Sequence, residues 1–416
     1  MTPPNPLSTE SPHLDRVPAS EIQDRITRFQ QWLGDKLLDG AFLLQNVDCY
    51  YFSATLQRGV LFIPAQGVPL FMVGKSVDRA RQESPLNQIL PLPRHDDMVA
   101  YLTDYGHRTR LRRIGLELDV LPAARYIWFR EKFPDAEFVD VSPGIRKLRM
   151  VKSDYEVRQL RRSAAVMDKG YAEIRSLLRE GMTELAVDAI LAGIARQEGH
   201  MGLVRMRGWN QEMPTTHVLV GPDSAVISCC ETPVCGPGPS PAMPQGAGFS
   251  RIVKNQPIYI DFGVAVNGYH GDQTRVLVMG KLDPVLERAH DCALSILQHL
   301  EAVMRPGMAC SEIFHAAQTI SAKHGLADHF MGHGEGQMHF LGHGIGLEID
   351  ELPVMAPRFT APIQEGMVFA LEPKFTFPGL GTVGIEDDYR VTATGVERLT
   401  LTEQNVLEIW PISKNC

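Results

Sequence analysis

The sequence predicts an α/β (α+β) protein of two domains, and three observations support this. The chain has 416 residues, about twice a common domain length. Up to residue 144, short apolar runs of strand length alternate with a helical apolar pattern. From Ser153 onward, long helical patterns and glycine-flanked apolar strands follow. We therefore predict a flexible N-terminus over 1–20, one domain over 21–150 and a second domain over 151–416.

The first predicted domain begins with a helix. Between Glu21 and Gly40, apolar side chains recur with helical spacing, at Ile22, Ile26, Phe29, Leu33 and Leu37. Short apolar runs typical of buried strands follow, at 41–44, 60–63, 69–73, 114–118 and 138–141. This alternation indicates a small α/β domain.

The second predicted domain begins with a capped helix. Ser153 and Glu156 match a capping box, and the apolar face that follows continues towards Gly181. Three further helices are predicted, over 183–199, from Asp283 to a stop before Pro306, and over 311–325.

A segment rich in proline and glycine, 232–248, lies between the helix predicted over 183–199 and the helix predicted from Asp283. Its composition predicts a loop. Two roles are open for this loop. It is either a surface insertion or a lid or wall beside a substrate site, since long irregular loops inside compact domains are often functional.

Composition and charge exclude several classes of protein. The hydrophobic share of 44% and the charged share of 22% are typical of globular chains. A formal net charge of -8 provides no global basic field for nucleic acid or anionic lipid. The 7 cysteines show no paired CxxC spacing, no apolar run has membrane-spanning length, and the first residues lack a secretory pattern. We expect reduced thiols, a cytoplasmic location and no nucleic-acid or membrane partner.

Two aspartates on a predicted hairpin give the strongest functional signal. Asn267-Gly268 is a typical two-residue turn between two apolar runs. Counting outward from this turn places Gly263 opposite Asp272 and Asp261 opposite Thr274. Asp261 and Asp272 then lie diagonally on one face, about 7 to 8 Å apart at the backbone, within joint reach of a metal ion. The alternative is a solvated hairpin face, but the apolar neighbours indicate burial, and buried carboxylates are rarely left unpaired.

Three further residues complete an oxygen-rich set. His343 lies among glycines in 341–346, a context that allows close backbone approach. Glu372 ends an apolar strand, and Glu386 follows farther along the chain beside Gly384. Four carboxylates and one imidazole suit divalent metal, and this many anionic ligands suit two cations better than one.

These residues resemble the superfamily of methionine aminopeptidase, prolidase, aminopeptidase P and creatinase, which has the pita-bread fold. Their spacing matches the prolidase-type ligand pattern, in the order Asp261, Asp272, His343, Glu372 and Glu386. In the first domain, 50–55 and 61–64 resemble the creatinase-type N-terminal domain, and 146–153 resembles the junction between the domains. The resemblance covers 20–412 and implies a creatinase-like N-terminal domain followed by a pita-bread catalytic domain.

The resemblance also implies a dinuclear metal centre. Asp272 and Glu386 would bridge two divalent ions. Asp261 would bind one of these ions, and His343 and Glu372 would bind the other. A bridging hydroxide would then attack a peptide or amide bond. Manganese, iron, cobalt and zinc all suit these ligands.

Four residues around the expected centre are candidates for catalysis or substrate binding. His339, just before His343, matches a substrate-binding histidine of the family; the alternative is a polar residue near the core. Gln245 and Asp350 stand where the peptidases carry histidines, and neither is an equivalent proton donor at neutral pH. His217 is the candidate replacement, and the alternative for it is an ordinary histidine at a strand edge.

The leading hypothesis is therefore a dinuclear metal-dependent hydrolase of the Xaa-Pro dipeptidase or aminopeptidase type. The replaced histidines leave a second hypothesis, an enzyme of the same fold that acts on a small non-peptide substrate, as creatinase-like hydrolases or dimethylsulfoniopropionate lyases do. A non-catalytic module, like the histone-chaperone relatives, has no reason to retain five ligands. The resemblance further implies a homodimer formed through the N-terminal domain, with a small peptide or small molecule as substrate.

Overall fold

The computed structural model describes residues 15–104 and 111–409, which form two compact units. The first unit contains the described residues up to Arg149 together with Arg207–Gln211. The second contains Met150–Met206 and the described residues from Glu212 onward. Of the expected flexible segment 1–20, residues 1–14 lie outside the described residues, and a helix already begins at Ala19.

The first unit combines helices with one mixed sheet. Its helices are α1 (Ala19–Asp35), α2 (Asn46–Ser53), α3 (Val77–Glu83), α4 (Asp97–Asp104), α5 (Ala123–Lys132) and α6 (Ser142–Met150). Its strands are β1 (Gly40–Leu43), β2 (Gly59–Pro64), β3 (Leu70–Val73), β4 (Ile89–Pro91), β5 (Arg113–Leu116) and β6 (Glu137–Asp140). The strands form a six-stranded sheet in the order β4-β3-β2-β1-β5-β6, which confirms the predicted α/β character of this part of the chain.

Helix α1 shows how far apolar spacing predicts an element. Its buried face holds four of the residues that predicted it, Ile22, Ile26, Phe29 and Leu33. The helix nevertheless ends at Asp35, because Leu37 turns to a positive φ of 57° and the Leu38 backbone N–H donates to the Leu33 carbonyl. This is a Schellman motif, and it leaves Leu37 exposed although the sequence pattern included it in the helix.

The second unit contains four longer helices within its described residues. They are α7 (Asp154–Leu177), α8 (Glu184–Gln197), α9 (Pro284–Val303) and α10 (Cys310–Lys323). The predicted capping box is confirmed, because the Ser153 side chain accepts from the Glu156 backbone and the Glu156 side chain accepts in return from Ser153. No helix within 15–104 or 111–409 combines the length and apolar character of a membrane span.

The strands of the second unit form three sheets. In chain order the strands are β7 (Thr216–Val220), β8 (Pro257–Val266), β9 (Tyr269–Met279), β10 (Gly342–Gly344), β11 (Glu351–Val354), β12 (Val368–Leu371), β13 (Lys374–Phe377), β14 (Gly381–Gly384), β15 (Asp387–Val391), β16 (Val396–Arg398) and β17 (Leu407–Ile409). The sheet orders are β17-β9-β8-β7, β11-β10-β12-β15-β16 and β13-β14. Buried apolar side chains of α9, α10 and all three sheets share one core.

The hairpin of β8 and β9 has the predicted register. Gly263 pairs with Asp272, and Asp261 pairs with Thr274. The turn residues Asn267 and Gly268 have φ angles of 50° and 89°, as a type I′ turn requires. Local turn chemistry therefore fixes which side chains of the two strands share a face.

The segment 232–248 is a loop, as predicted, without a helix or a named strand. The expectation of reduced thiols is wrong for two cysteines near its start, because a disulfide joins Cys230 to Cys235. Their spacing differs from the CxxC pattern, so that pattern does not predict the pair. Cys229 is free and exposed in the same region.

His270 on β9 is a buried histidine that must stay neutral. Its Nδ1 lies 3.0 Å from the Gly346 carbonyl oxygen, and its Nε2 accepts a hydrogen bond of 3.0 Å from the Arg205 backbone. One neutral tautomer satisfies both contacts. Burial lowers the pKa of His270 from 6.5 to about 4.

The buried imidazole of His270 is expected to make folding stability depend on pH. Because the folded pKa lies below the unfolded one, the neutral ring contributes stability above pH 6.5 that is lost as the pH falls towards 4. Over this range, the wild type should lose about 3 kcal/mol more free energy of unfolding than a His270→Gln variant. Urea unfolding of both proteins at the two pH values measures the difference. Parallel losses in the two proteins would contradict the assignment.

Candidate metal centre

The five expected metal ligands lie on or beside strands of the second unit. Asp261 is on β8, Asp272 on β9 and His343 on β10. Glu372 directly follows β12, and Glu386 directly precedes β15. The four carboxylates are buried, and His343 is partly buried.

The hairpin holds the two aspartates together. Because Asp272 pairs with Gly263, its side chain lies on the same face as Asp261, two residues away. This arrangement follows directly from the turn at Asn267-Gly268.

His343 is held in a crowded middle strand, between β11 and β12. A Cβ atom on Gly342 would lie 2.1 Å from the Ala370 carbonyl oxygen, and a Cβ atom on Gly344 would lie 2.1 Å from that of Leu352. Neither position accepts a side chain without backbone movement. The glycines beside His343 therefore allow the neighbouring strands to approach it closely.

Glu386 is positioned by β9. Its backbone forms an isolated bridge with Thr274, and its Oε2 accepts a hydrogen bond of 2.8 Å from the Thr274 hydroxyl. The Tyr259 hydroxyl lies within hydrogen-bond reach of the Thr274 hydroxyl, at 3.4 Å, and donates to Asp261 Oδ2 at 3.3 Å. Tyr259 and Thr274 were not predicted to belong to the site, although the two-residue strand period places them on the face of the aspartates.

Three of the expected ligands form a group that fits one metal ion. Ligand atoms of Asp272, His343 and Glu386 all lie within 4.8 Å of one another. The Nε2 of His343 is 3.9 Å from Asp272 Oδ2 and 3.7 Å from Glu372 Oε1, too far for hydrogen bonds. Asp272 Oδ1 is buried and has no hydrogen-bond partner in the part of the chain that the structure describes. A divalent cation would satisfy these converging atoms.

Lys374, which was not predicted to belong to the site, lies among the same carboxylates. Lys374 Nζ is 3.2 Å from Asp261 Oδ2, 2.7 Å from Glu372 Oε2 and 3.1 Å from Glu386 Oε2. The Lys374 side chain is only 1% exposed. The sequence did indicate that Lys374 is near Glu372, because residues two positions apart in an extended segment share a face.

The ionisation of the cluster reflects burial and crowded charge. Burial raises the pKa of Asp272 well above its usual range, and the charges of Glu386 and Asp261 raise it further. Burial also raises the pKa of Glu386, to about 7. Burial alone would raise the pKa of Asp261, but the Lys374 ammonium holds it below its usual value. Burial would lower the pKa of Lys374, but the carboxylates of Asp261, Glu372 and Glu386 raise it well above its usual value.

The pKa of His343 is affected by Asp350, one of the four candidates for catalysis or substrate binding. Burial by itself would lower the pKa of His343, yet the carboxylates of Asp350, Glu372 and Glu386 raise it overall. Asp350 is exposed, and its charge acts on His343. His339 is also exposed, in a bend just before β10.

His217 lies beside the cluster, and the loop that carries Gln245 contacts His217. His217 on β7 pairs with Asp261 on β8, and its buried Nε2 has no hydrogen-bond partner among the described residues. A Cβ on Gly246 would lie 3.4 Å from Cδ2 of His217, so the loop carrying Gln245 packs against this ring. The Gln245 side chain itself donates to the Glu212 carbonyl. The loop thus reaches His217, while the Gln245 amide group is bound elsewhere.

Two family models match the chain. Metallopeptidase family M24 matches residues 158–393, more than half of the sequence. The Creatinase/Prolidase N-terminal domain matches residues 25–151.

The chain is also similar to known proteins over nearly its whole length. An Xaa-Pro dipeptidase of Pyrococcus furiosus is 26% identical over 389 residues, which cover 93% of this chain and 100% of that protein. The crystal structure of the prolidase from Pyrococcus horikoshii has a TM-score of 0.78 at 24% identity and covers 92% of this chain and 100% of that one. The X-Pro aminopeptidase from Thermotoga maritima has a TM-score of 0.76 at 22% identity, covering 90% and 99%.

These matches confirm the expected fold, a creatinase-type N-terminal domain followed by a pita-bread catalytic domain. The chain therefore belongs to metallopeptidase family M24, a family of hydrolytic enzymes that use divalent metal ions.

Proposed function

We propose that this enzyme hydrolyses Xaa-Pro dipeptides, or short peptides with proline in the second position, with the help of a divalent metal ion. The observation that carries the proposal is the group of Asp272, His343 and Glu386, whose ligand atoms lie within 4.8 Å of one another. The Xaa-Pro dipeptidase of Pyrococcus furiosus, matched over 100% of its length, supports the choice of substrate.

Asp272, His343 and Glu386 would hold the ion, with Glu372 beside them. When bound, such an ion polarises the attacked carbonyl and lowers the pKa of water, which supplies a nucleophile near neutral pH. Manganese, iron, cobalt and zinc suit these ligands. The ligand group accounts for hydrolysis of an amide bond but does not by itself select proline.

His217 is the residue of this chain best placed to contact the substrate. Its Nε2 is buried, has no hydrogen-bond partner in the described part of the protein, and lies beside Asp261. Burial lowers the pKa of His217, so the ring is neutral near pH 7 and can either donate or accept a hydrogen bond. We assign it the role of orienting the substrate carbonyl or amide. His339 and Asp350 are proposed as further groups near the substrate.

Asp350 and Gln245 favour a second candidate function. At neutral pH a carboxylate and an amide do not supply the proton that a histidine supplies. Asp350 also carries a negative charge close enough to influence His343. A small cationic substrate, of the kind that creatinase-like hydrolases or dimethylsulfoniopropionate lyases use, would suit such a group.

A substrate screen distinguishes the two functions. The purified protein is loaded with Mn²⁺, Co²⁺ or Zn²⁺ and offered Ala-Pro and other proline dipeptides, small amides and sulfonium compounds. We expect metal-dependent release of proline that a chelator abolishes. Turnover should be at least about 10²- to 10³-fold below that of a family member with both histidines, because loss of a single transition-state hydrogen-bond donor already costs this much. Turnover of a non-peptide compound without proline release would establish the second candidate instead.

The homodimer stays a prediction of the family resemblance, and the cytoplasmic location stays a prediction of the cysteine pattern and the sequence of the first residues. A homodimer formed through the N-terminal domain is expected, and light scattering at micromolar concentration tests it. The cytoplasmic location is likewise inferred, and fractionation of cells that express the protein tests it.

A further inference from the structure

The Lys374 ammonium lies among carboxylates that the family resemblance assigns to a metal ion. Its Nζ contacts one oxygen each of Asp261, Glu372 and Glu386, at 3.2, 2.7 and 3.1 Å. These residues are three of the five that the family resemblance assigns to two metal ions. Three carboxylate oxygens converging on one centre are what a metal ion of this class would require.

The carboxylate oxygens divide into two sets. On one side, Asp261 Oδ2, Glu372 Oε2 and Glu386 Oε2 surround Lys374 Nζ. On the other side, Glu372 Oε1 lies 3.7 Å and Asp272 Oδ2 lies 3.9 Å from His343 Nε2. Glu372 thus presents one oxygen to each side. The site therefore has two positions for positive charge. Lys374 occupies the first, and the position beside His343 and Asp272 is left for a metal ion.

A second divalent ion does not fit this arrangement. In the two-ion arrangement that the family resemblance implies, Asp261 binds only this second ion. Its Oδ2 already accepts hydrogen bonds from Lys374 and from the Tyr259 hydroxyl. An ion sharing these oxygens would lie within a few ångströms of the ammonium, where two positive charges repel strongly at low dielectric. The ammonium and the ion are therefore alternatives.

Lys374 is held in place by more than the carboxylates. It begins β13, whose residues Lys374 and Phe375 pair with Gly384 and Val383 of β14. Its Nζ also lies 5.8 Å from the centre of the Tyr259 ring. The Lys374 side chain is only 1% exposed, so the carboxylates take the place of water around the ammonium. A buried ammonium is stable only when it stays paired.

We propose that Lys374 supplies one of the two positive centres of this site, so that each chain binds a single divalent ion, at Asp272, His343 and Glu386. The inference rests on the proposed function only in taking this group as the metal site. It names no substrate. A failed substrate screen with one ion bound would therefore refute the proposed function alone.

Counting ions in the wild-type protein gives the first test. The full-length protein is depleted of metal, reloaded with excess Mn²⁺, freed of loose ions by gel filtration, and analysed by elemental analysis. We expect about one ion per chain, and an electron paramagnetic resonance spectrum of isolated Mn²⁺ without spin coupling. About two ions per chain, a spin-coupled pair, or no retained ion would overturn the proposal.

The variant Lys374→Ala tests whether Lys374 is what limits each chain to one ion. Removing the ammonium frees three carboxylates, so the ion count should rise about twofold, with a spin-coupled signal. Lys374→Arg, which keeps the positive charge among the carboxylates, should stay near one ion per chain. Lys281→Ala, at an exposed lysine, is the matched control and should leave the count unchanged. If folded Lys374→Ala, checked by circular dichroism, still binds one ion, Lys374 is not the substitute cation. Should that variant fail to fold, the wild-type count decides.

Discussion

The substitution Asp272→Asn is expected to lower hydrolytic turnover by about 10³-fold or more, because losing the ion removes several kcal/mol of transition-state stabilisation. Asn keeps the shape of the side chain but replaces one anionic oxygen with an amide nitrogen. Asp272 is central to the group with His343 and Glu386, and its buried Oδ1 has no other partner among the described residues. The amide would leave that position without the charge that attracts a divalent cation.

Activity and metal content must change together for this interpretation to hold. Turnover of the substrate found in the screen and ion content by elemental analysis are measured on the same samples. Asp291→Asn, at an exposed aspartate of α9, is the control and should match the wild type in both. An Asp272→Asn protein that keeps its ion and its turnover would remove Asp272 from the metal site.

The sequence predicted those parts of the site that depend on local geometry. The turn at Asn267-Gly268 fixes the pairing of β8 with β9, so the common face of Asp261 and Asp272 follows from counting residues. The glycines around His343 predicted close backbone approach. A Cβ atom added to Gly342 or Gly344 would lie 2.1 Å from a carbonyl oxygen of a neighbouring strand, which shows where this approach occurs. In both cases the governing interactions lie within a few residues or within one strand pair.

Features that depend on distant parts of the chain were missed. Lys374 is 2 residues from Glu372 and 12 from Glu386, but its third partner, Asp261, lies 113 residues away. Its role therefore becomes visible only once these strands are assembled. The Cys230–Cys235 disulfide was missed because it lies within an irregular loop without periodicity. Metal-ligand patterns count the residues that attract a cation, and they overlook a cation that the chain supplies itself.

Arg275, which donates to the Glu386 carbonyl beside the candidate metal centre, is also a cation with partners in distant parts of the chain. It is expected to be the most costly buried side chain to remove. Its guanidinium is 0% exposed. All five of its N–H groups are used, in hydrogen bonds of 2.7 to 2.8 Å. The acceptors are the Asp387 carboxylate and the backbone carbonyls of Thr274, Glu386, Thr402 and Glu403.

Arg275→Met should lower the free energy of unfolding by about 3–5 kcal/mol, the usual effect of leaving one buried charge without its partner. Asp387, also 0% exposed, would keep hydrogen bonds from Thr400 and Gln404 but lose its closest cation. Arg275→Lys should fall between the two proteins, because it retains the charge but has fewer donors. Urea unfolding measures all three proteins.

Arg288→Met is the matched control, since this exposed arginine of α9 undergoes the same chemical change at the surface. It should alter the free energy of unfolding by no more than about 0.5 kcal/mol. Arg275 also donates to the Glu386 carbonyl at 2.8 Å, so its loss loosens the backbone that carries a proposed metal ligand. Arg275→Met should therefore weaken metal binding even at temperatures where the variant remains folded. Equal stability of Arg275→Met and Arg288→Met would show that the buried ion pair contributes nothing net to the fold.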